Sequence, residues 1–122
     1  MKKIAILLSL IFSVNSIVFA NNGIKASVGE VTTFAGSGTQ GSSDGTGTEA
    51  SFNGPWGVAI DGSGNLFVAD VYNNLIRKIT PEGVVTTFAG SGSAGWDDGT
   101  GTAASFSKPW GIAIDNDGNM FV

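Results

Sequence analysis

The sequence predicts an all-β fold made of repeated units, on the basis of an internal repeat, short apolar strands and frequent turn residues. Residues 31–68 recur without a gap as residues 85–122, an offset of 54 residues, and most aligned positions are identical. Self-similarity at a period of roughly 20–50 residues marks a repeat architecture, in which one unit cannot bury its apolar face alone. No stretch keeps the 3.6-residue apolar period of an amphipathic helix. The predicted fold is therefore a β-propeller of four-stranded antiparallel blades.

The complete repeat is expected to contain four short strands separated by tight turns. These strands are residues 57–61, 66–69, 75–80 and 84–89. Pro81 presets the φ angle of a turn, and Gly83 can adopt the left-handed conformation that joins this turn to the next strand. Asn74 tolerates the same conformation between the second and third strands.

The strands are apolar on both faces, which predicts stacked sheets. Residues 66–69 show no alternation of polar and apolar side chains, whereas an antiparallel sheet with one face in water should alternate. Sheets buried on both sides arise when blades are arranged around a channel. Gly57 and Ala59, with their counterparts Gly111 and Ala113, fit an innermost strand where neighbouring blades crowd together.

The repeat unit resembles the NHL repeat. The segments that carry the resemblance are Pro-Trp-Gly-Val-Ala-Ile-Asp (55–61), Gly-Asn-Leu-Phe-Val-Ala-Asp (64–70) and Asn-Asn-Leu-Ile-Arg-Lys-Ile (73–79). Nearly all of residues 31–122 is covered, and the 54-residue unit with its Asp-Gly-Thr-Gly-Thr connection is similar to those of exported bacterial NHL proteins. The resemblance implies a propeller of usually six blades, in which residues 31–35 are the outer strand of a blade whose other strands lie elsewhere in the ring.

The chain is expected to begin with a signal peptide and to be an N-terminal fragment. Residues 1–20 combine Lys2 and Lys3 with an apolar run and a small-residue cleavage site, the pattern of a secretory signal. Polar residues interrupt that run, which weighs against a membrane anchor. Residues 21–30 then form a short linker, and residues 31–122 form the NHL repeats. Secretion to the periplasm or beyond follows, with no membrane span after cleavage. The missing blades would lie in the same chain or, alternatively, come from self-assembly.

Composition excludes several classes of function. Removing Lys2 and Lys3 with the leader leaves four cationic side chains against ten carboxylates, a net charge of −6. Nucleic-acid binding depends on clustered Lys and Arg, so nucleic acid is not an expected partner. The chain has no Cys and no His, which removes the commonest general base and the commonest zinc ligand. No cofactor, metal site or catalytic residue is predicted from the sequence.

Candidate binding residues lie on one predicted face of the propeller. We define the loop face as residues 37–55, 70–74 and 91–109, because the loop from outer to inner strand and the loop between the second and third strands meet there in a propeller. Trp56 and Trp110 stand at the start of inner strands, where they would pack between blades or stack on a ligand. Trp96 replaces the Ser of the first copy and, with Asp97 and Asp98, is the better candidate for an external contact.

Other acidic residues are expected to be structural. Asp61 and Asp115 precede hairpin turns that lack the spacing of a calcium loop. Asp70 and Arg77 lie on neighbouring strands, where a charged pair is more often a structural bridge than a site.

The predicted function is that of a non-catalytic binding or scaffold module for protein or glycan, using the loop face. One alternative is a propeller enzyme similar to metal-dependent lactonases or lyases, with its catalytic residues in other blades. Asp61 and Asp115 are the inward-strand carboxylates that such an enzyme would find in this chain. The other alternative is a spacer module of a larger surface protein.

Overall fold

The computed structural model describes residues 17–19 and 32–122, which form short strands and single 3₁₀ turns. The strands are β1 Ile17–Phe19, β2 Thr32–Ala35, β3 Gly45–Thr46, β4 Pro55–Ile60, β5 Leu66–Asp70, β6 Leu75–Ile79, β7 Val84–Ala89, β8 Ala113–Ile114 and β9 Met120–Phe121. The 3₁₀ turns are Gly47–Glu49, Val71–Asn73 and Gly101–Ala103. None of the helical turns in this part of the chain is long and apolar enough to cross a membrane. The predicted all-β class is confirmed.

The predicted four-stranded blade is formed by β4 to β7, each paired antiparallel with the next. Its turns follow the sequence prediction: Gly83 has φ 84° and Asn74 has φ 54°, both left-handed. The inner strand starts at Pro55, two residues earlier than predicted, so that Trp56 belongs to it. Pro55 pairs with Asp70 at the end of β5, which places Trp56 at the same end of the sheet as the 70–74 loop.

A fifth strand that the sequence did not predict closes the outer edge of the blade. The Asp-Gly-Thr-Gly-Thr segment lies in the predicted loop 37–55, but Gly45 and Thr46 pair as β3 with Val85 and Val84 of β7. This pairing uses backbone groups of small polar residues, so it leaves no apolar alternation to detect in the sequence. The connecting loop therefore covers a strand edge that would otherwise expose unpaired N–H and C=O groups.

Both faces of the two central strands, β5 and β6, are buried, as the apolar pattern of residues 66–69 predicted. Leu66 and Val68 pack on one face in a cluster with Phe52 and Val85. The alternate residues of β5 face the other way and pack against the second repeat; their cluster contains Phe67, Ala69, Ile76, Phe106, Ile112, Ile114 and Met120. Each repeat thus covers its neighbour, which is the packing of stacked propeller blades.

The inner strands of the two repeats are in close contact. A Cβ atom added to Gly57 would overlap the backbone carbonyl oxygen of Trp110. Glycine at this position is therefore required by the contact between the two inner strands, and the predicted crowding there is confirmed.

The outer strand β2 has a partner inside the predicted leader. β1 pairs antiparallel with β2 through Ile17↔Ala35, Val18↔Thr33 and Phe19↔Thr32, with a shift after the first pair. The same register and shift occur between β6 and β7, so β1 takes the place of a third strand in the first repeat. Apart from residues 17–19, the predicted signal peptide and linker lie outside the described residues, and cleavage stays a prediction.

Candidate functional site

A buried arginine holds the loop face together. Arg77 is fully buried and donates from Nη1 to Oδ2 of Asp70 at 3.1 Å and from Nη2 to Oδ1 of Asp44 at 2.7 Å. The same two nitrogens donate to the backbone carbonyl oxygens of Ser51 and Ser43, each at 3.0 Å. The predicted Asp70–Arg77 bridge is confirmed, and it extends into the loop, which the sequence did not show.

Asp70 fixes the neighbouring loop from the other side. Its Oδ1 accepts the backbone N–H of Asn53 at 2.7 Å, and its Oδ2 accepts the Asn73 side-chain amide at 2.7 Å. Burial raises the pKa of Asp70, while the bonds from Asn73, Asn53 and Arg77 act to lower it. Asn73 also donates to the carbonyl of Gly41. The loops predicted to share one face are therefore joined directly.

The adjacent Asn74 extends this connection to the next blade. Its side chain donates to the carbonyl of Gly92 at 3.3 Å and accepts the backbone N–H of Lys108 at 2.9 Å. Lys108 has φ 52°, a left-handed conformation, as does its counterpart Gly54 with φ 66°. Both ends of the second loop are thus held against the first blade, which orders the segment that carries Trp96.

Asp97 and Asp98, the two acidic residues predicted to bind a ligand, differ in their surroundings. Asp97 accepts the hydroxyl of Ser105 at 3.1 Å, and its backbone N–H donates to the same hydroxyl oxygen at 2.8 Å. Asp98 is exposed and is the counterpart of Asp44, the partner of Arg77. Because Asp44 forms an ion pair with Arg77, the equivalent position of Asp98 is suited to the same kind of structural ion pair.

Asp61 and Asp115 organise turns, as predicted. Asp61 Oδ1 accepts the backbone N–H groups of Ser63 and Asn65, each at 2.9 Å, and Oδ2 accepts the Asn65 amide at 2.8 Å. The same three bonds recur at Asp115 with Asp117 and Asn119. The bond from the asparagine side chain is the main reason that the pKa of each aspartate lies below its ordinary value. Both carboxylates that a metal enzyme could use are thus engaged in hairpin turns.

The contribution of the Asp61 turn to stability should decrease as the pH is lowered. Because the folded-state pKa lies below the unfolded value of 3.8, the stabilisation is present above pH 3.8 and is lost as pH falls through the folded pKa. We expect the stability difference between wild type and Asp61→Ala to shrink below pH 3.8. Urea unfolding of the full-length protein at several pH values measures this. Ser63→Ala, which alters the same turn without removing an acid, is the control. A difference that stays constant down to pH 2 would contradict the assignment.

Within residues 32–122, no group of three or more His, Cys, Asp or Glu side chains is arranged to hold a metal ion.

The predicted tryptophan pair is in contact across the blade junction. The ring centroids of Trp56 and Trp110 lie 4.7 Å apart, with the ring planes tilted by 58°. The two residues nevertheless stay 39% and 50% exposed. Inter-blade packing and an open aromatic surface therefore coexist at this position.

Two more exposed aromatic side chains lie on the loop face. Trp96 is 86% exposed, the most exposed of the large apolar residues in the described chain. Tyr72, which no sequence pattern identifies as a candidate, is 61% exposed and its ring packs over Gly54. Its position in the predicted 70–74 loop, Asp-Val-Tyr-Asn-Asn, is the sequence feature that could have identified it as a candidate.

Comparison with known proteins agrees with this geometry. The model of the NHL repeat family matches residues 52–79, which run from the end of the loop through β6. The chain contains an NHL repeat. NHL repeat-containing protein 2 of Homo sapiens is 37% identical over 107 residues, covering 84% of this chain and 14% of the human protein. Protein SUPPRESSOR OF QUENCHING 1, chloroplastic, of Arabidopsis thaliana is 40% identical over 83 residues, covering 67% of this chain and 8% of the plant protein.

Solved structures show the same NHL-like fold. An auxiliary nutrient binding protein from Bacteroides thetaiotaomicron superposes with a TM-score of 0.71 at 26% identity, over 88% of this chain and 29% of that one. A protein of unknown function from the same organism gives a TM-score of 0.77 at 30% identity, over 88% of this chain and 27% of that one. The described residues therefore form part of a β-propeller, and they span about a quarter of the solved chains.

Proposed function

We propose that this chain is part of an exported NHL propeller that binds a protein or glycan ligand through the loop face without catalysing a reaction. The observation that carries the proposal is Trp96, an indole that is 86% exposed although its loop is ordered by hydrogen bonds at both ends. An exposed large aromatic on an ordered surface suits a binding contact better than a role in packing.

Repeat comparison supports the same assignment. The first copy carries Ser42 at the position of Trp96, and the two loops share the preceding glycine and the Asp-Gly-Thr-Gly-Thr segment that follows. The fold is therefore compatible with a small side chain there, so the indole is not required to build the loop. The solved structure described as an auxiliary nutrient binding protein adds a propeller of similar fold with a binding role.

Replacing Trp96 with alanine is expected to weaken ligand binding at least tenfold without lowering the midpoint of thermal unfolding. Truncation of a tryptophan at the centre of a contact typically costs more than about 1 kcal/mol, and a tenfold loss corresponds to about 1.4 kcal/mol. Labelled full-length protein is first screened on glycan and peptide arrays. The strongest ligand is then measured by titration calorimetry with wild type and Trp96→Ala.

Ser42→Ala is the matched control, because it changes the equivalent exposed position of the first loop. It should leave both affinity and thermal midpoint unchanged. Array signals no stronger than those of labelled albumin, or an affinity unaffected by Trp96→Ala, would overturn the proposed use of this loop.

A further inference from the structure

We propose that Trp56 and Trp110 form a stacking platform for the sugar rings of a neutral glycan. The inference rests on the proposed function, since it names the class of ligand and a second contact on the same face. Trp56 lies at the end of β4 that pairs with Asp70, and therefore beside the 70–74 loop.

The platform is partly exposed, and the backbone beneath it is closely packed. Trp56 remains 39% exposed even though Trp110 packs against it. Their backbones are held by the close approach of Gly57 to the Trp110 carbonyl and by the buried Pro109. Little conformational freedom is then left to lose when a ligand is bound, which favours binding.

The geometry suits an extended ligand. Two indoles with centroids 4.7 Å apart and planes tilted by 58° form a partly exposed surface of two differently oriented rings at the junction of two blades. Such a surface exceeds the area of a single ring. An oligosaccharide chain, whose successive rings differ in orientation, can contact both indoles at once.

The chemistry of the surface favours a sugar. The face of an aromatic ring is electron-rich and attracts weakly positive hydrogens, such as the C–H groups on the flat side of a pyranose. Sugar hydroxyls then need polar partners at the rim of the platform. Tyr72 provides an exposed phenol there, because its ring packs over Gly54, two residues from Trp56.

The charge of the chain favours a neutral glycan over an acidic one. The chain has six Lys and Arg against ten Asp and Glu, a net charge of −4. On the described loop face, Asp70 is fully buried against Arg77. The exposed charged side chains of this face are four acids and one cation: Asp44, Glu49, Asp97, Asp98 and Lys108. An anionic ligand would therefore approach a face on which negative charge exceeds positive charge.

Affinity electrophoresis of the full-length protein tests the proposal. Native gels contain one of four neutral polysaccharides (a mixed-linkage β-glucan, glycogen, arabinoxylan or galactomannan) or one of two acidic ones (polygalacturonate or alginate). We expect retardation in at least one neutral gel and none in the acidic gels. The double variant Trp56→Ala/Trp110→Ala should lose that retardation, and Trp56→Phe/Trp110→Phe should keep part of it, because it retains the aromatic faces.

Two controls separate a binding defect from a folding defect and from failure of the proposed function. The thermal midpoint of the Phe variant must match that of wild type. Trp96→Ala is run in the same gels, so that loss through Trp96 with no effect of the paired variants would leave the proposed function standing and overturn the platform. Mobility unchanged in every neutral gel, retardation in acidic gels only, or binding to a proline-rich decapeptide in place of the glycans would also overturn it.

Discussion

Replacing Arg77 with methionine is expected to lower the free energy of unfolding of the full-length protein by about 3–5 kcal/mol. The guanidinium is fully buried and pairs with Asp70, whose side chain is also fully buried. Methionine removes the charge and every donor, so Asp70 loses its counter-ion inside the fold. Uncompensated buried charges are among the most destabilising single changes in proteins. Urea unfolding followed by tryptophan fluorescence measures the loss.

Asp44→Asn provides the matched control for Arg77→Met. Asp44 binds the same guanidinium at 2.7 Å, but its side chain is 51% exposed, and asparagine keeps an oxygen that can accept the bond. We expect this variant to cost less than about 1 kcal/mol, as is usual for exposed pairs. Equal losses for the two variants would show that Arg77 acts through the loop contact rather than through the buried pair.

Replacing Gly57 with alanine is expected to destabilise the protein by about 1–3 kcal/mol and to disturb the tryptophan pair. The added Cβ would overlap the carbonyl oxygen of Trp110, a backbone atom that cannot rotate away. The two inner strands must therefore separate. Thermal unfolding measures the loss of stability, and the near-ultraviolet circular dichroism of the indoles reports the change at the blade junction.

Gly62→Ala is the control for this effect, because a Cβ atom at Gly62 meets nothing within 4 Å. Its stability should stay within about 0.5 kcal/mol of wild type, as for most surface substitutions. A Gly57→Ala variant as stable as Gly62→Ala would mean that the blades are not in contact at this position.

The contacts that these variants remove differ in how far the sequence predicted them. The Gly57 contact was predicted in outline, because a small residue recurs at the same place in both copies. The Arg77 network was predicted only as its bond to Asp70, seven residues away. Its bond to Asp44 spans 33 residues, and no local pattern links residues that far apart.

The candidate site shows the same division. Trp56, Trp110 and Trp96 were identified because large aromatic residues stand out in a Gly-rich repeat. Only the structure shows that they differ in exposure: Trp96 is 86% exposed, whereas Trp56 and Trp110 pack against each other. Tyr72 was missed, since a single tyrosine in a short loop has no pattern of its own.

The sequence by itself determined the repeat, the four strands of the complete blade, the burial of the central strands on both faces and the turns at Asp61 and Gly83. These features depend on local periodicity and on backbone preferences of single residues. Only the tertiary structure decided that β3 closes the outer edge of the blade, that β1 pairs with β2, and that Arg77 joins the loops. The reason is physical: these contacts use backbone hydrogen bonds and one long side chain, which join distant segments without requiring any periodic pattern in the sequence.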